Sequence, residues 1–163
     1  MKYETYLYGT PFNAKLNTVM TKPATQVLKA KKLRVTPART EVLDLFIQAP
    51  SALSHGDLEK KLGPHFDRVT LYRTLASFVE SGLIHKVPDE TGAQRFAYCN
   101  HEHHEHEGEH THTHVHFNCT DCRRTLCLDD IHIPAVHLPK GFIQNDSVYL
   151  VKGTCDTCSK KGK

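Results

Sequence analysis

Two pairs of cysteines constrain this chain more than any other feature. Cys119 and Cys122 form one CxxC motif, Cys155 and Cys158 form a second, and 32 residues separate the two motifs. Each motif presents two thiolates to one ion, and two motifs complete the tetrahedral four-thiolate site that zinc favours. Because this separation exceeds that of a compact zinc ribbon, strands between the motifs must bring them together. A redox CxxC motif is the other interpretation, but such a motif usually begins a helix in a βαβ unit, which is not predicted here.

Composition agrees with a metal-binding part in the second half of the chain. All six cysteines follow position 98, and 8 of the 13 histidines lie in residues 101–116. In a reducing compartment such a cluster is more often a metal site than a set of disulfides. The 163 residues are 39% hydrophobic and 24% charged, which excludes collagen-like, fibrous and mostly disordered classes. No apolar run approaches the roughly 18 residues of a membrane span, and no signal-peptide core is present, so we expect a cytoplasmic protein.

Charge is divided unevenly along the chain. Residues 1–85 contain 12 Lys+Arg and 7 Asp+Glu, a net charge of +5, whereas residues 86–163 contain 9 and 11, a net charge of −2. A basic, cysteine-free part joined to a part rich in metal ligands suggests a polyanion-binding module coupled to a metal-binding module.

Helix signals follow one another in the basic part. A helix is predicted from Ala24 to Lys32, and Thr36-Pro37 predicts the start of a second helix that runs to about Gln48. Residues 54–57 resemble a capping box and predict a third helix. On the inner faces of the second and third helices we expect five apolar side chains: Val42, Leu45, Phe46, Leu58 and Leu62.

The next predicted helix, over residues 67–82, carries side chains that suit DNA. Its buried stripe is predicted to contain Leu71, Leu75, Phe78 and Val79. The opposite face presents Arg68, Thr70, Tyr72 and Arg73. Arginine can bind guanine with two hydrogen bonds, and tyrosine and threonine can contact thymine methyl groups or phosphates. Strands are predicted over 83–87 and 95–99, around a turn at 89–92. Helices followed by such a hairpin are typical of winged-helix DNA-binding domains, and a merely solvated helix face is the alternative.

A second metal site is predicted from the remaining cysteines, Cys99 and Cys127, and the histidines near them. A hairpin centred on Gly92 makes His85 and Cys99 cross-strand neighbours. Cys127 is expected on the strand that returns from the first CxxC motif. Imidazole and thiolate donors suit Zn(II) better than Mg, Ca or Mn. The alternative is that both cysteines are small buried residues. Because side chains alternate along a strand, one face is expected to carry His112, His114 and His116.

The run of residues 101–110 is rich in histidine and glutamate and has low complexity. It is expected to form a loop that binds metal loosely or solvates the connection between the two parts.

Taken in order, these motifs resemble the ferric-uptake-regulator (Fur) superfamily of metal-dependent bacterial repressors, from about residue 24 onward. The resemblance rests on LRVTPAR at 33–39, VTLYRTL at 69–75, HVHFNCTDC at 114–122 and GTCDTC at 153–158. It implies an α+β fold with an N-terminal winged helix-turn-helix DNA-binding domain in residues 1–88, whose wing reaches about residue 99. It also implies a C-terminal α/β dimerisation domain in residues 100–163 that contains the four-cysteine zinc site.

Within the superfamily, the zinc-uptake (Zur) branch is the more similar. Residues 81–87, SGLIHKV, resemble its wing, where the histidine is a regulatory zinc ligand, and residues 95–99, RFAYC, resemble the segment with its regulatory cysteine. Thr111-His112-Thr113 lies where that branch has a further histidine ligand. The resemblance thus implies a regulatory zinc site drawn from His85, Cys99, His112, His114, His116 and Cys127.

Several positions depart from the family pattern. The ligand at position 127 is usually acidic, so Cys127 is interpreted as a replacement that favours zinc, with Asp129 or Asp130 as the alternatives. Ala52 and Ser147 stand where iron-type members have histidines. Pro134 and Pro139 interrupt a segment that is usually helical in the dimerisation domain.

The function implied by the resemblance is a homodimeric repressor that binds palindromic operators of metal-uptake genes in response to zinc, with structural and regulatory Zn²⁺. The alternatives are an iron- or manganese-responsive regulator and a His-rich zinc store or chaperone. An enzyme is not expected, because no His-x-Glu motif is paired with Pro-Cys-x-x-Cys and four protein ligands leave no open position for water.

Overall fold

The computed structural model describes residues 22–88, 92, 94–98, 114–128, 131, 133, 136–144 and 147–161. The helices are α1 (Ala24–Ala30), α2 (Pro37–Gln48), α3 (His55–Leu62), α4 (Arg68–Glu80) and α5 (Asp156–Lys161). The strands are β1 (Leu53–Ser54), β2 (Ile84–Val87), β3 (Arg95–Tyr98), β4 (Val115–Cys119), β5 (Thr125–Leu128) and β6 (Tyr149–Gly153). The predicted α+β class is confirmed.

Side-chain caps fix the starts of three helices, α2, α3 and α4. Thr36 Oγ1 accepts a hydrogen bond from the Arg39 amide at 3.3 Å, and Pro37 occupies the first position of α2. Ser54 forms the predicted capping box with Asp57 at the start of α3. Asp67 is the N-cap of α4 and accepts a hydrogen bond from the Thr70 amide at 2.7 Å. Each cap satisfies amides that the first helical turn cannot, which explains why the sequence locates these starts well.

The core of the helical part differs in detail from the predicted one. Leu43 is buried together with Val42 and Phe46, whereas Leu45 is only half-buried. In α4 the buried stripe contains Thr74 besides the expected Leu71, Leu75 and Phe78, and Val79 is half-buried. The reason is that α2 and α4 each pack against more than one neighbour, so the buried stripe is wider than a single row of apolar residues. Helix α1 ends at Ala30, two residues earlier than expected.

The wing is a three-stranded antiparallel sheet with the order β1-β3-β2. His85 pairs with Ala97, so the prediction that His85 and Cys99 are direct cross-strand neighbours is wrong. The observed pairs centre on residue 91, one position before Gly92, and moving the centre by one residue moves every partner by two. The short strand β1 was not predicted, and it pairs with Arg95 and Phe96, the first two residues of β3.

The second sheet has the order β5-β4-β6, with β4 antiparallel to β5 and parallel to β6. Its central strand β4 ends at Cys119, which lies beside Gly153 at the end of β6. The strands therefore bring the two CxxC motifs together, as their long separation requires. The described residues of the segment around Pro139, from 136 to 144, form neither helix nor strand, and Pro134 is outside the described residues.

No helix in the described ranges is long and apolar enough to cross a membrane.

Candidate metal centres and nucleic-acid interface

The first cluster consists of Cys119, Cys122, Cys155 and Cys158, whose four sulfurs lie within 4.8 Å of one another. Cys119 ends β4, Cys122 follows in the turn, and Cys155 precedes α5, which carries Cys158. The Sγ atoms of Cys122 and Cys155 are 3.9 Å apart. Tetrahedral zinc with Zn–S bonds of about 2.3 Å requires roughly 3.8 Å between sulfurs, so this cluster fits one zinc ion.

Hydrogen bonds prepare part of this cluster for ionisation. Backbone amides of Cys122 and Cys155 lower the pKa of Cys119 to about 6, and the Cys155 amide donates to the Cys119 sulfur at 3.3 Å. The Arg124 guanidinium donates hydrogen bonds to the sulfur of Cys122 at 3.3 Å and to the sulfur of Cys155 at 3.6 Å. The bond to Cys122 lowers the pKa of that thiol. The hydrogen bond with Cys155, together with burial, raises the pKa of Cys158 to about 12. A metal ion would therefore have to displace the proton of Cys158.

The second cluster contains His85, His114, His116 and Cys127, and its four ligand atoms also lie within 4.8 Å of one another. His85 Nε2 is 3.1 Å from Nε2 of both His114 and His116, and 3.6 Å from the Cys127 sulfur. The three imidazoles are buried and Cys127 is half-buried. Concentrating three imidazoles in one buried place is costly unless a ligand or hydrogen bonds compensate them.

Two strand relationships build this cluster. His116 on β4 is the register partner of Cys127 on β5, and His114, two residues earlier, projects from the same face. His85 reaches the cluster from β2 of the wing. Four-coordinate zinc with bonds of about 2.0–2.1 Å to nitrogen and 2.3 Å to sulfur requires roughly 3.4 Å between nitrogens and 3.6 Å between nitrogen and sulfur. The distances observed here are close to these values, so the donor set and its spacing fit zinc.

Of the six residues predicted for a second site, four converge in this way. The sequence left open the choice among His112, His114 and His116, and the structure brings in both His114 and His116. Cys99 and His112 are outside the described residues, as are Asp129, Asp130 and the run 101–110.

The second cluster lies where the two sheets meet. The Ala52 amide, just before β1, donates to the Thr125 carbonyl of β5 at 2.9 Å. Cys127 packs against Ala52, Val87 and Ala97 of the wing. These contacts were not predicted, because a buried alanine and a backbone carbonyl carry no sequence signal of their own.

The predicted DNA-contacting residues lie at the start of α4. Tyr72 is 50% exposed and Arg73 is exposed, while Thr70 is half-buried and its hydroxyl donates to Asp67. The Arg68 side chain is 72% exposed and makes two hydrogen bonds to Glu59 of α3. A face with two arginines, a tyrosine and a helix N-terminus can contact phosphates and base edges.

Two further residues of this surface were not predicted from the sequence. His55, the first residue of α3, stacks on Tyr72 with ring centroids 4.5 Å apart, and Glu59 pairs with Arg68. Only their spacing of four residues, which puts them on one helix face, was a possible signal.

Comparison with known proteins agrees with this arrangement. The model of the Ferric uptake regulator family matches residues 30–139. The peroxide operon regulator of Bacillus subtilis (strain 168) is 27% identical over 143 residues, which cover 86% of this chain and 94% of that protein. A ferric uptake regulation protein of Staphylococcus epidermidis is 27% identical over 148 residues, covering 86% and 97%. Among solved structures, a zinc uptake regulator complexed with zinc and DNA has a TM-score of 0.58 at 24% identity, with 85% of this chain and 92% of that chain covered.

Proposed function

The chain belongs to the ferric uptake regulator family, and from that membership we propose that it is a zinc-responsive repressor that binds palindromic operators of metal-uptake genes as a homodimer. Membership in this family makes it a metal-responsive transcriptional regulator. The proposal adds the metal, zinc, the residues that bind it, the operator class and a cytoplasmic location.

The observation that carries the proposal is the convergence of His85 with His114, His116 and Cys127. His85 belongs to the wing, and the other three residues belong to the second sheet. One ion bound by all four would join the two parts across the Ala52–Thr125 contact. A bound zinc ion supplies a four-coordinate cross-link of this kind, and no open coordination position remains for catalysis.

The donor set supports zinc. Three imidazoles and one thiolate are borderline to soft ligands, which suit zinc, whereas manganese prefers oxygen donors. The cluster of Cys119, Cys122, Cys155 and Cys158 is proposed as a separate, structural zinc site that holds β4, β6 and α5 together. Its four thiolates would fill all four coordination positions of the zinc ion, so none remains for a solvent ligand.

In the proposed mechanism the two clusters act at different levels. The four-cysteine cluster maintains the fold of the second sheet. His85, His114, His116 and Cys127 fix the orientation of the winged helix, so that α4 is presented to DNA in a defined way. DNA affinity scales with the fraction of protein in the competent orientation, so a fraction of about 1% without metal would weaken binding about 100-fold.

A homodimer is supported by the exposed apolar surface of the second part. Phe142 is 69% exposed and Ile143 is 85% exposed, and Val148 and Val151 beside or on β6 are also exposed. In the described part of the chain β6 is an edge strand, and an edge strand can pair with a strand of a second copy. Dimerisation would present two copies of α4 to successive major grooves about 34 Å apart.

DNA binding to a metal-uptake promoter, measured by fluorescence anisotropy against buffered free zinc, tests the proposal. We expect tight binding only in the presence of zinc, and a weaker response to Fe²⁺ and Mn²⁺ in parallel titrations. If iron or manganese promotes DNA binding and zinc does not, the protein responds to that metal and the proposal of zinc is wrong. Zinc binding without any DNA binding would favour the storage or chaperone function.

A further inference from the structure

Two side chains of α3 contact two side chains of the DNA-facing surface of α4. The rings of His55 and Tyr72 stack at 4.5 Å with an interplanar angle of 27°. Glu59 accepts hydrogen bonds from Arg68 Nε at 2.7 Å and from Arg68 Nη2 at 2.9 Å. Residues 55 and 59, like residues 68 and 72, are one helical turn apart, so the two contacts are repeated along neighbouring faces of the helices.

The His55 ring is itself anchored. It packs against the ring of Phe96, a buried residue of β3, in a T-shaped arrangement with centroids 5.2 Å apart. Its backbone follows Ser54, the N-cap of α3, so the main chain at this point is also fixed. Burial lowers the pKa of His55, although the nearby Glu59 carboxylate acts in the opposite direction. Tyr72, by contrast, is half exposed, and the stack with His55 restricts the rotation of its side chain.

The Glu59–Arg68 pair has a similar effect on a charged group. An arginine has five N–H donors, and the two hydrogen bonds to Glu59 leave three for another acceptor. The pair is exposed, so it contributes little to folding stability. Its two parallel hydrogen bonds nevertheless fix the plane of the guanidinium.

We propose that His55 and Glu59 are positioning residues for sequence recognition, holding Tyr72 for contact with a thymine methyl group and Arg68 for contact with a guanine. This inference rests on the proposed function, because it requires that α4 enter the major groove. Neither residue needs to touch DNA. Each limits the orientations of a side chain that does, and so increases discrimination between bases more than overall affinity.

The test uses the zinc-loaded, full-length protein and an operator obtained by in vitro selection from random duplexes. Each thymine of the operator is replaced in turn by deoxyuracil, which removes only the methyl group. Burial of one methyl group corresponds to about a fourfold change in affinity, so the wild type should prefer thymine by about that factor at one position in each half-site. Tyr72→Ala should abolish this preference and identify the position.

His55→Ala should reduce the preference at that position to about one, while zinc content and thermal midpoint establish that the protein is folded. His55→Phe, which retains an aromatic ring, should keep the preference. His65→Ala is the matched control, since His65 is an exposed histidine in the loop between the same helices. For the second pair, guanines are replaced by 7-deazaguanine, and Glu59→Gln should weaken the discrimination that Arg68→Ala abolishes.

The outcomes separate the two levels of inference. If the wild type selects no duplex sequence in the presence of zinc, the proposed function fails and this inference fails with it. If the wild type binds a selected operator but His55→Ala and Glu59→Gln discriminate between bases as the wild type does, only the positioning roles are overturned. A wild-type preference near one at every thymine likewise overturns the role given to the His55–Tyr72 stack.

Discussion

The Nε2 atom of His85 in the wing lies 3.1 Å from the Nε2 atom of His116 in the second sheet. The two histidines are separated by 30 residues along the chain and belong to different sheets. Because both nitrogens point to the same place as His114 Nε2 and Cys127 Sγ, a metal ion there would bind both parts of the protein at once. The proposed coupling of metal binding to the orientation of α4 rests on this relationship.

His85→Ala should therefore separate metal binding in the second cluster from the rest of the protein. The variant should lose the second zinc ion, keep the four-cysteine zinc, and bind operator DNA as weakly as the zinc-free wild type, about 100-fold more weakly if the competent fraction is about 1%. Zinc stoichiometry and anisotropy titrations measure both effects. His65→Ala should behave like the wild type. If His85→Ala retains zinc-dependent DNA binding, the wing does not contribute a ligand to the metal site.

Cys119→Ser should act on folding instead. Cys119 is fully buried and its sulfur accepts a hydrogen bond from the Cys155 amide. Loss of this sulfur therefore removes a buried ligand of the four-cysteine cluster. Metal-binding free energy at such a site is folding free energy. We expect the thermal midpoint to fall by about 10 °C or more, which corresponds to several kcal/mol for a chain of this size. Calorimetry with zinc analysis measures this, and an unchanged midpoint with full zinc content would contradict a structural role.

Arg73→Ala should weaken DNA binding by about 1–3 kcal/mol without changing zinc content. Arg73 is an exposed residue on the first turns of α4. If it contacts a base, discrimination between operator variants should decrease. If it contacts a phosphate, affinity should fall equally for all sequences and the salt slope should decrease by about one. Lys60→Ala on α3 provides a control for the loss of one positive charge, and equal effects of both substitutions would argue against a specific contact of Arg73.

The start of α4 should depend on pH through Asp67. Hydrogen bonds from the Thr70 hydroxyl and amide hold the pKa of Asp67 below its usual 3.8. A carboxyl group with a lowered pKa in the folded state stabilises the fold above its unfolded pKa, and this stabilisation is lost as the pH falls through the folded value. Urea unfolding at pH 6 should show Asp67→Ala to be less stable than the wild type, and the difference should shrink below about pH 4. Asn also caps helices but does not titrate, so Asp67→Asn should remain close to the wild type at pH 6.

The sequence was most informative where structure is determined locally. Thr36-Pro37 and the Ser54–Asp57 capping box each act within four residues, so the starts of α2 and α3 were predicted correctly. The start of α4 was predicted to within one residue, since Asp67 is its N-cap and not its first residue. The predicted register of the hairpin differs from the observed one by two residues, because the turn sequence from 89 to 92 does not fix which residue is central. An even displacement leaves the faces of the strands unchanged, and His85 still faces the second sheet.

Long-range packing decided what the sequence left open. Alternation placed His114 and His116 on one face, but only the approach of the wing from another sheet determines that both lie next to His85. In the same way, the roles of His55 and Glu59 depend on how α3 packs against α4. Their sequence context has only helix signals, so their contacts with Tyr72 and Arg68 could not be predicted.

Cys127 offers the sharpest test of the proposed zinc site, because the family pattern usually has an acidic residue there. Its sulfur lies 3.6 Å from His85 Nε2, and the residue packs against Ala52, Val87 and Ala97. As a ligand it would be the only anionic donor among the four described residues of the cluster. Cys127→Ser should therefore weaken the second zinc site and zinc-dependent DNA binding together, while the four-cysteine zinc and the dimer remain. Cys127→Asp should restore part of the DNA binding, with more response to harder ions such as Mn²⁺.

Cobalt substitution gives a direct measurement of the same claim. Thiolate ligation of Co²⁺ produces charge-transfer absorption, and the part of this absorption that belongs to the second site should disappear in both Cys127 variants. Cys119→Ser is the matched control, since it should reduce the absorption of the other site. If Cys127→Ser retains the full absorption and the full zinc-dependent DNA affinity, Cys127 is a packing residue between the wing and β5, and the anionic ligand must come from elsewhere in the chain.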